Sequence, residues 1–382
     1  MKVKKLIQTL HAIVHHSQRR LELAHVMQEP DPESGLSGGN GHTGAEHSKA
    51  LSDVMDAVIQ TPEMIDNEVH ARMSFTLMDA KSDMHIVPGT SMGQGAYRCV
   101  LRQCVYCALY TQVWLAWHPA SAAMVAVKIK YAGPNVYEDA MFERELRIHR
   151  SIGCSHDHIV SALGVIREKN RVCLVMSYDA YVDVRTYMAR RGVSTLSVRR
   201  AQYIASRVLS ALAHLHDRSI CHRDVKPSNV LVNGRGDVKL CDFGVSIDLR
   251  EEIAVTRCGT ALYMAPEVKV CPLKHQLPEQ QQDEMEDFAY STSVDVWSLG
   301  AMTFELLFGI DALRHLTQSD HIEDILDALS RLEKVASSQH LLRAVSFIQA
   351  CMKSASAHRP PCRQLLRLPF CDATLSSSLI SF

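Results

Sequence analysis

Apolar positions along the chain change their spacing several times, and each change predicts a different kind of element. Residues 1–27 set Ile7, Leu10, Val14 and Leu21 at roughly helical intervals among Lys2, Lys4, Lys5, Arg19 and Arg20, which predicts an amphipathic basic helix. Residues 28–50 are rich in Gly, Ser, Asp, Glu and His and can bury little, so a flexible linker is expected there. Helical spacing returns over 51–85. Beyond it the pattern shortens to β-type runs at 113–116, 124–130 and 171–176, with an amphipathic helix at 138–151 between the last two. After residue 181 long helical patterns dominate. A small sheet-rich half followed by a larger helical half predicts a bilobal α+β domain over 86–371, with lobes at about 86–178 and 181–371 and a short tail at 372–382.

Composition narrows the class. With 47% hydrophobic and 22% charged residues in 382, the chain is globular rather than disordered. A formal net charge of −1 gives no reason to expect a nucleic acid or an acidic membrane surface as partner. Twelve irregularly spaced cysteines and no secretory leader suggest reduced thiols and a cytoplasmic location. Residues 103–127 carry no formal charge and are long enough to cross a bilayer. That stretch nevertheless contains Gln112, His118, Pro119 and Ser121 and runs straight into Lys128, so a hairpin with a His-Pro-Ala-Ser turn is expected instead of a membrane span.

The chemistry concentrates in His222-Arg223-Asp224-Val225-Lys226-Pro227-Ser228-Asn229, followed 18 residues after Asp224 by Asp242-Phe243-Gly244. Phosphoryl transfer asks a protein mainly for positioning and charge neutralisation. Asp224 can accept or orient a hydroxyl proton, Lys226 can neutralise a moving phosphoryl group, and Asn229 with Asp242 can hold Mg²⁺ through oxygen.

These residues resemble the eukaryotic protein kinase family, over about residues 86–371. The resemblance implies the bilobal kinase fold, ATP and Mg²⁺ as cofactors, and a protein substrate. It places Lys128, in Ala126-Val127-Lys128, on the nucleotide's α and β phosphates and pairs it with Glu145; Glu143 is a rival two positions away that faces elsewhere on a helix. Val113, Ala126, Met176 and Tyr178 fall at adenine-pocket positions, with Met176 at the back of the pocket and Tyr178 in the hinge. Gly93 and Gly95 match the start of a glycine-rich loop, but no third glycine follows. Read without a gap, Arg98 takes its place and Val100 contacts adenine; read with a gap, the preferred alignment, 113–116 is the second strand and 98–111 is an insertion in the turn before it. Residues 242–267 match an activation segment closed by an ion pair between Glu267 and Arg359, and Asp295 falls on a helix beneath the catalytic loop. A second insertion is expected at about 270–288.

Lys226 and Thr260 are similar to the serine/threonine type. Arg223 before the catalytic Asp224 is a cation that a phosphorylated segment residue often neutralises; Thr256 is the first candidate, ahead of Ser246 and Thr260. Residues 222–246 look most like MAP kinase kinases, in which Thr256 and Glu252 fall on the two phosphorylated positions, so that Glu252 is a fixed charge in place of one phosphate. That subgroup implies a MAP kinase activation loop as substrate, modified on Thr and Tyr, an upstream activating kinase, and a docking role for Lys2, Lys4 and Lys5. A serine/threonine kinase of another group and a pseudokinase scaffold are the alternatives.

Overall fold

The computed structural model describes residues 91–92, 99–107, 111–118, 122–133, 136–153, 156–273, 288–317 and 339–371, the first two stretches by backbone alone. The helix expected at 1–27, the linker at 28–50, the helical stretch at 51–85, Gly93 and Gly95, most of the 270–288 insertion and the 372–382 tail lie outside the described residues.

Alternating short apolar runs build one antiparallel sheet from β1 (Ser91–Met92), β2 (Cys99–Cys107), β3 (Thr111–His118), β4 (Ala123–Tyr131), β5 (Ala162–Glu168) and β6 (Arg171–Ser177), in the order β1-β2-β3-β4-β6-β5. The strands expected at 113–116, 124–130 and 171–176 are the cores of β3, β4 and β6. β3 and β4 form the expected hairpin, with His118 opposite Ala123. The uncharged stretch thus runs through strands, and among the described residues no helix is long and apolar enough to cross a membrane.

One expectation is corrected here. Residues 99–107, read as part of an insertion within a turn, form β2, which pairs with β1 on one side and β3 on the other. The segment Cys-Val-Leu-Arg-Gln-Cys-Val-Tyr-Cys has one formal charge and several strand-favouring side chains, so pairing suits it better than a loop. Two register shifts against β3, at Leu101/Gln103 and Cys104/Tyr106, blur its alternation.

Helix α1 (Val136–Ile152) joins β4 to β5. Glu138 and Asp139 in its first turn and His149 and Arg150 in its last suit the helix dipole. Phe142 and Leu146, four apart on one face, pack with Leu174 and Met176 of β6.

The second lobe is built around α2 (Val184–Arg190), α3 (Val198–His216), α4 (Pro266–Lys269), α5 (Ser293–Phe308), α6 (Ile310–Thr317), α7 (Gln339–Cys351) and α8 (Cys362–Leu365). Nearly every residue of α5 is buried, so it forms the axis of this lobe. A Cβ on Gly300 would come within 2.7 Å of Cys351 Cβ and Met352 Cγ, so α5 reaches the end of α7 only because that side chain is absent. Short strands then clamp the functional loops. β7 (Val182–Asp183), β9 (Val230–Val232) and β10 (Val238–Leu240) form one small sheet, and β8 (Ile220–Cys221) pairs with β11 (Ile247–Asp248). Residues 222–229 therefore leave β8 and enter β9, while 241–246 leave β10 and enter β11, so both loops are pinned at each end.

Candidate active site

The sheet lobe contributes an ammonium. In the strand register Val113 lies opposite Lys128, and Ala126 lies opposite Met176. Because side chains alternate, Val113, Ala126, Lys128 and Met176 share one face, the face on which α1 packs. Tyr178 follows β6 directly and is partly buried. Lys128 Nζ donates to Glu145 Oε1 at 2.7 Å and Oε2 at 2.9 Å, and to Asp242 Oδ1 at 3.0 Å. Glu143 turns the other way and accepts from Arg167 at 2.6 and 2.8 Å, which settles the choice between the two helix acids. Burial disfavours the Lys128 charge, but Glu145 and Asp242 outweigh it and raise its pKa. The same ammonium holds the Asp242 carboxyl down to about 2, whereas burial pushes Glu145 upward against the pull of Lys128.

Facing this cluster, the loop after β8 presents a carboxylate whose two oxygens are both engaged. Asp224 Oδ1 accepts from Thr260 N at 2.9 Å and Thr260 Oγ1 at 2.8 Å. Its Oδ2 lies 2.8 Å from Lys226 Nζ and accepts from Asn229 Nδ2 at 3.1 Å. Lys226 also donates to Thr260 Oγ1 at 2.7 Å. Asn229 donates its amide N–H to Asp224, and its backbone oxygen accepts from Cys241 N at 2.9 Å. The side chains of Asn229 and Asp242 thus stand on adjoining loop ends. Half of the Asp242 side chain is exposed.

Support comes from below. The buried carboxylate of Asp295 accepts from His222 N and Arg223 N, both at 2.8 Å, and from His216 Nε2 at 2.9 Å. Phe243 is fully buried, edge-on to His149 and His222 with ring centroids 4.9 and 5.2 Å away. Arg223 and Asp242 both have φ near +66°, an uncommon backbone for side chains with a Cβ that these loops hold in place. A Cβ on Gly259 would lie 2.3 Å from Arg223 O, and Gly259 itself has φ +96°, so the segment can approach the catalytic loop only through glycine.

The activation segment is tied down at three points. Arg359 grips both oxygens of Glu267, at 2.5 and 2.8 Å. Arg223 donates from Nε to Val245 O at 2.6 Å and from Nη1 to Tyr290 Oη at 3.2 Å, and Tyr290 Oη donates to Thr256 O at 2.8 Å. Glu252 Oε2 pairs with Arg144 Nη1 of α1 at 3.0 Å.

The family model for the protein kinase domain matches residues 109–371. The chain belongs to the protein kinase family. Relatives of this kinase include the MAP kinase kinase skh1/pek1 of Schizosaccharomyces pombe, 38% identical over 190 residues, which are 47% of this chain and 46% of that one. The dual specificity protein kinase FUZ7 of Mycosarcoma maydis is 36% identical over 195 residues (50% and 40% of the two chains), and Misshapen-like kinase 1 of Rattus norvegicus is 30% identical over 272 residues (68% and 19%). The kinase spans less than half the length of these curated relatives. Members of the family generally use ATP with a divalent metal.

The residues fit such a pair of ligands. An amide oxygen and a half-exposed carboxylate on adjoining loops suit a hard cation that keeps water and phosphate oxygens in the rest of its shell. Among the described residues there is no group of three or more His, Cys, Asp or Glu that could hold a metal ion. Two residues of the site carry no sequence signal of their own, Arg144 and Tyr290, whereas Thr260 and Ser246, named as phosphorylation candidates, are found as buttresses of the catalytic loop. Ser246 is fully buried and donates to His222 O at 3.1 Å, and the Thr260 hydroxyl is held between Asp224 and Lys226, so neither is presented as a segment phosphosite.

Proposed function

We propose that this serine/threonine-type kinase transfers the γ-phosphoryl group of ATP, with Mg²⁺, to protein hydroxyls with dual specificity, and that the protein is a MAP kinase modified on the Thr and Tyr of its activation loop. The observation that carries this reading is the bridge from Lys128 of the sheet lobe to Asp242 of the helical lobe, beside a loop that holds Asp224 and Lys226 together. In it, Lys128 grips the nucleotide's phosphates, and Val113, Ala126, Met176 and Tyr178 line the adenine pocket. Asn229 and Asp242 hold Mg²⁺, which supplies charge neutralisation. Asp224 takes or orients the proton of the acceptor hydroxyl, and Lys226 screens the charge that grows on the transferred group. Glu267 and Arg359 anchor the segment, while Arg223, Glu252 and Thr256 carry its regulation, with Thr256 modified by an upstream kinase in a cytoplasmic cascade. Similarity to skh1/pek1 and FUZ7 supports the MAP kinase kinase assignment over another serine/threonine group.

The experiment is phosphosite mapping of an inactive MAP kinase after incubation with this protein, ATP and Mg²⁺. Phosphate on both Thr and Tyr is expected; phosphate on unrelated basic peptides alone would remove the subgroup. One observation favours a second reading, a scaffold without transfer: after Gly93 and Gly95 the sequence brings no third glycine to let phosphates approach the backbone. Mg²⁺-dependent ATP turnover no greater than that of Asp224→Asn would select it.

A further inference from the structure

One charged cluster outside the phosphotransfer machinery has no task in it. Arg185, in the first turn of α2, donates from Nη2 to Tyr263 Oη at 2.7 Å and to Glu305 Oε1 at 2.8 Å. Tyr263 Oη in turn donates to Glu305 Oε2 at 2.5 Å. Glu305 belongs to the buried axis helix and its side chain is 4% exposed, whereas that of Arg185 is 42% exposed. Tyr263 is 3% exposed. A buried carboxylate is costly unless each oxygen is partnered. Here both are, and Arg185 is the member of the three that reaches solvent. Its guanidinium therefore joins the buried carboxylate to the surface.

Tyr263 is the third residue after Thr260, whose N–H and hydroxyl both contact Asp224 Oδ1. Three residues of chain span at most about 10 Å. On the other side, α2 packs against the Pro227–Asn229 turn that closes the catalytic loop. The Arg185 cluster therefore lies close to the loop that holds Asp224, where an acceptor hydroxyl would sit. A carboxylate with one oxygen held by a tyrosine and the other by a planar guanidinium is a site of arginine shape.

We propose that Arg185 fills, from within the chain, an arginine-shaped acidic slot next to the phosphoacceptor loop, and so bars basic substrate side chains from Glu305. This rests on the phosphotransfer reading for its substrate and deepens it: acceptor peptides with neutral or acidic residues two to four positions from the hydroxyl are favoured, because the exposed part of the guanidinium faces them. Removing Arg185 opens the slot and exposes an uncompensated carboxylate, which inverts the preference.

The test compares wild type, Arg185→Ala, Arg185→Lys and Arg185→Ala/Glu305→Gln. Two labelled acceptor peptides are used, identical except for Arg or Glu at those positions, with binding read by fluorescence anisotropy and transfer by initial rate. Wild type and Arg185→Lys should bind the Glu peptide at least as tightly. Arg185→Ala should bind the Arg peptide about tenfold tighter than wild type does, and the double variant should lose that gain. As a second readout, millimolar arginine amide should raise the melting temperature of Arg185→Ala but not that of wild type. Tighter binding of the Arg peptide by wild type, or an unchanged preference and no arginine-amide shift in Arg185→Ala, would overturn the proposal. A wild type that shows the binding preference but transfers phosphate to neither peptide contradicts the phosphotransfer reading alone.

Discussion

Glu252 of the activation segment and Arg144 of α1 form an ion pair of 3.0 Å, and Arg144 is the immediate neighbour of Glu145, the partner of Lys128. A second pair, Arg147 with Glu251 at 3.8 Å, lies alongside. The segment is therefore fastened to the helix that carries Glu145 by carboxylates, without phosphate. Because Glu252 is 40% exposed, its pair contributes under about 1 kcal/mol to stability, so the effect of losing it belongs to the position of α1. Glu252→Gln is expected to leave the melting temperature almost unchanged and to lower basal phosphotransfer several-fold. Arg144→Glu/Glu252→Arg should recover most of the rate. Initial rates with Mg²⁺ and ATP check this, and equal rates for wild type and Glu252→Gln would dismiss the latch.

Lys128 serves two carboxylates, one of which is buried at 3% exposure. Lys128→Met should abolish measurable transfer and also destabilise the fold by about 3 kcal/mol, since Glu145 is left as an unpaired buried charge. Lys128→Met/Glu145→Leu should regain the stability and none of the activity. Denaturant unfolding of the three proteins separates the structural and the catalytic roles of the pair.

Thr260 holds Asp224 through both its N–H and its hydroxyl. Thr260→Val keeps the backbone contact and removes the other, along with a partner of Lys226. A fall of about tenfold or more in kcat with little change in KM for ATP is expected, since the loss concerns the orientation of the proton acceptor. A change confined to KM for ATP would assign Thr260 elsewhere.

The carboxylate under the catalytic loop makes stability depend on pH. Burial disfavours the His216 imidazolium, but hydrogen bonds to Asp295 and to Cys362 outweigh it and raise its pKa from 6.5 to about 10. A raised folded pKa means that this contribution is complete below pH 6.5 and is lost as pH rises through about 10. The melting temperature should fall over that window, and the fall should be shallower in His216→Gln. Parallel slopes in the two proteins would show that Asp295 is not held by a charged histidine.

Much of the site was legible because its chemistry lies in short motifs on loops pinned between strands. Asp224, Lys226 and Asn229 occupy one eight-residue run, and Asp242 follows at a fixed interval, so their grouping needed no tertiary knowledge. Helical periodicity lets only one of Glu143 and Glu145 face Lys128, the family resemblance picks Glu145, and both contacts agree with that choice. The β2 strand escaped notice because its two register shifts break the period of two on which strand recognition depends. Arg185 binds partners 78 and 120 residues away, and Arg144 binds one 108 residues away. Such contacts follow from how α1, α2 and α5 pack and leave no local pattern in the chain.

Transfer of γ-labelled phosphate from ATP to an inactive MAP kinase, with Mg²⁺ present, compared between wild type and Asp224→Asn, tests the assignment most directly. Label on the MAP kinase with wild type, reduced at least a hundredfold by the substitution, is the predicted result. Equal label from both proteins would contradict it.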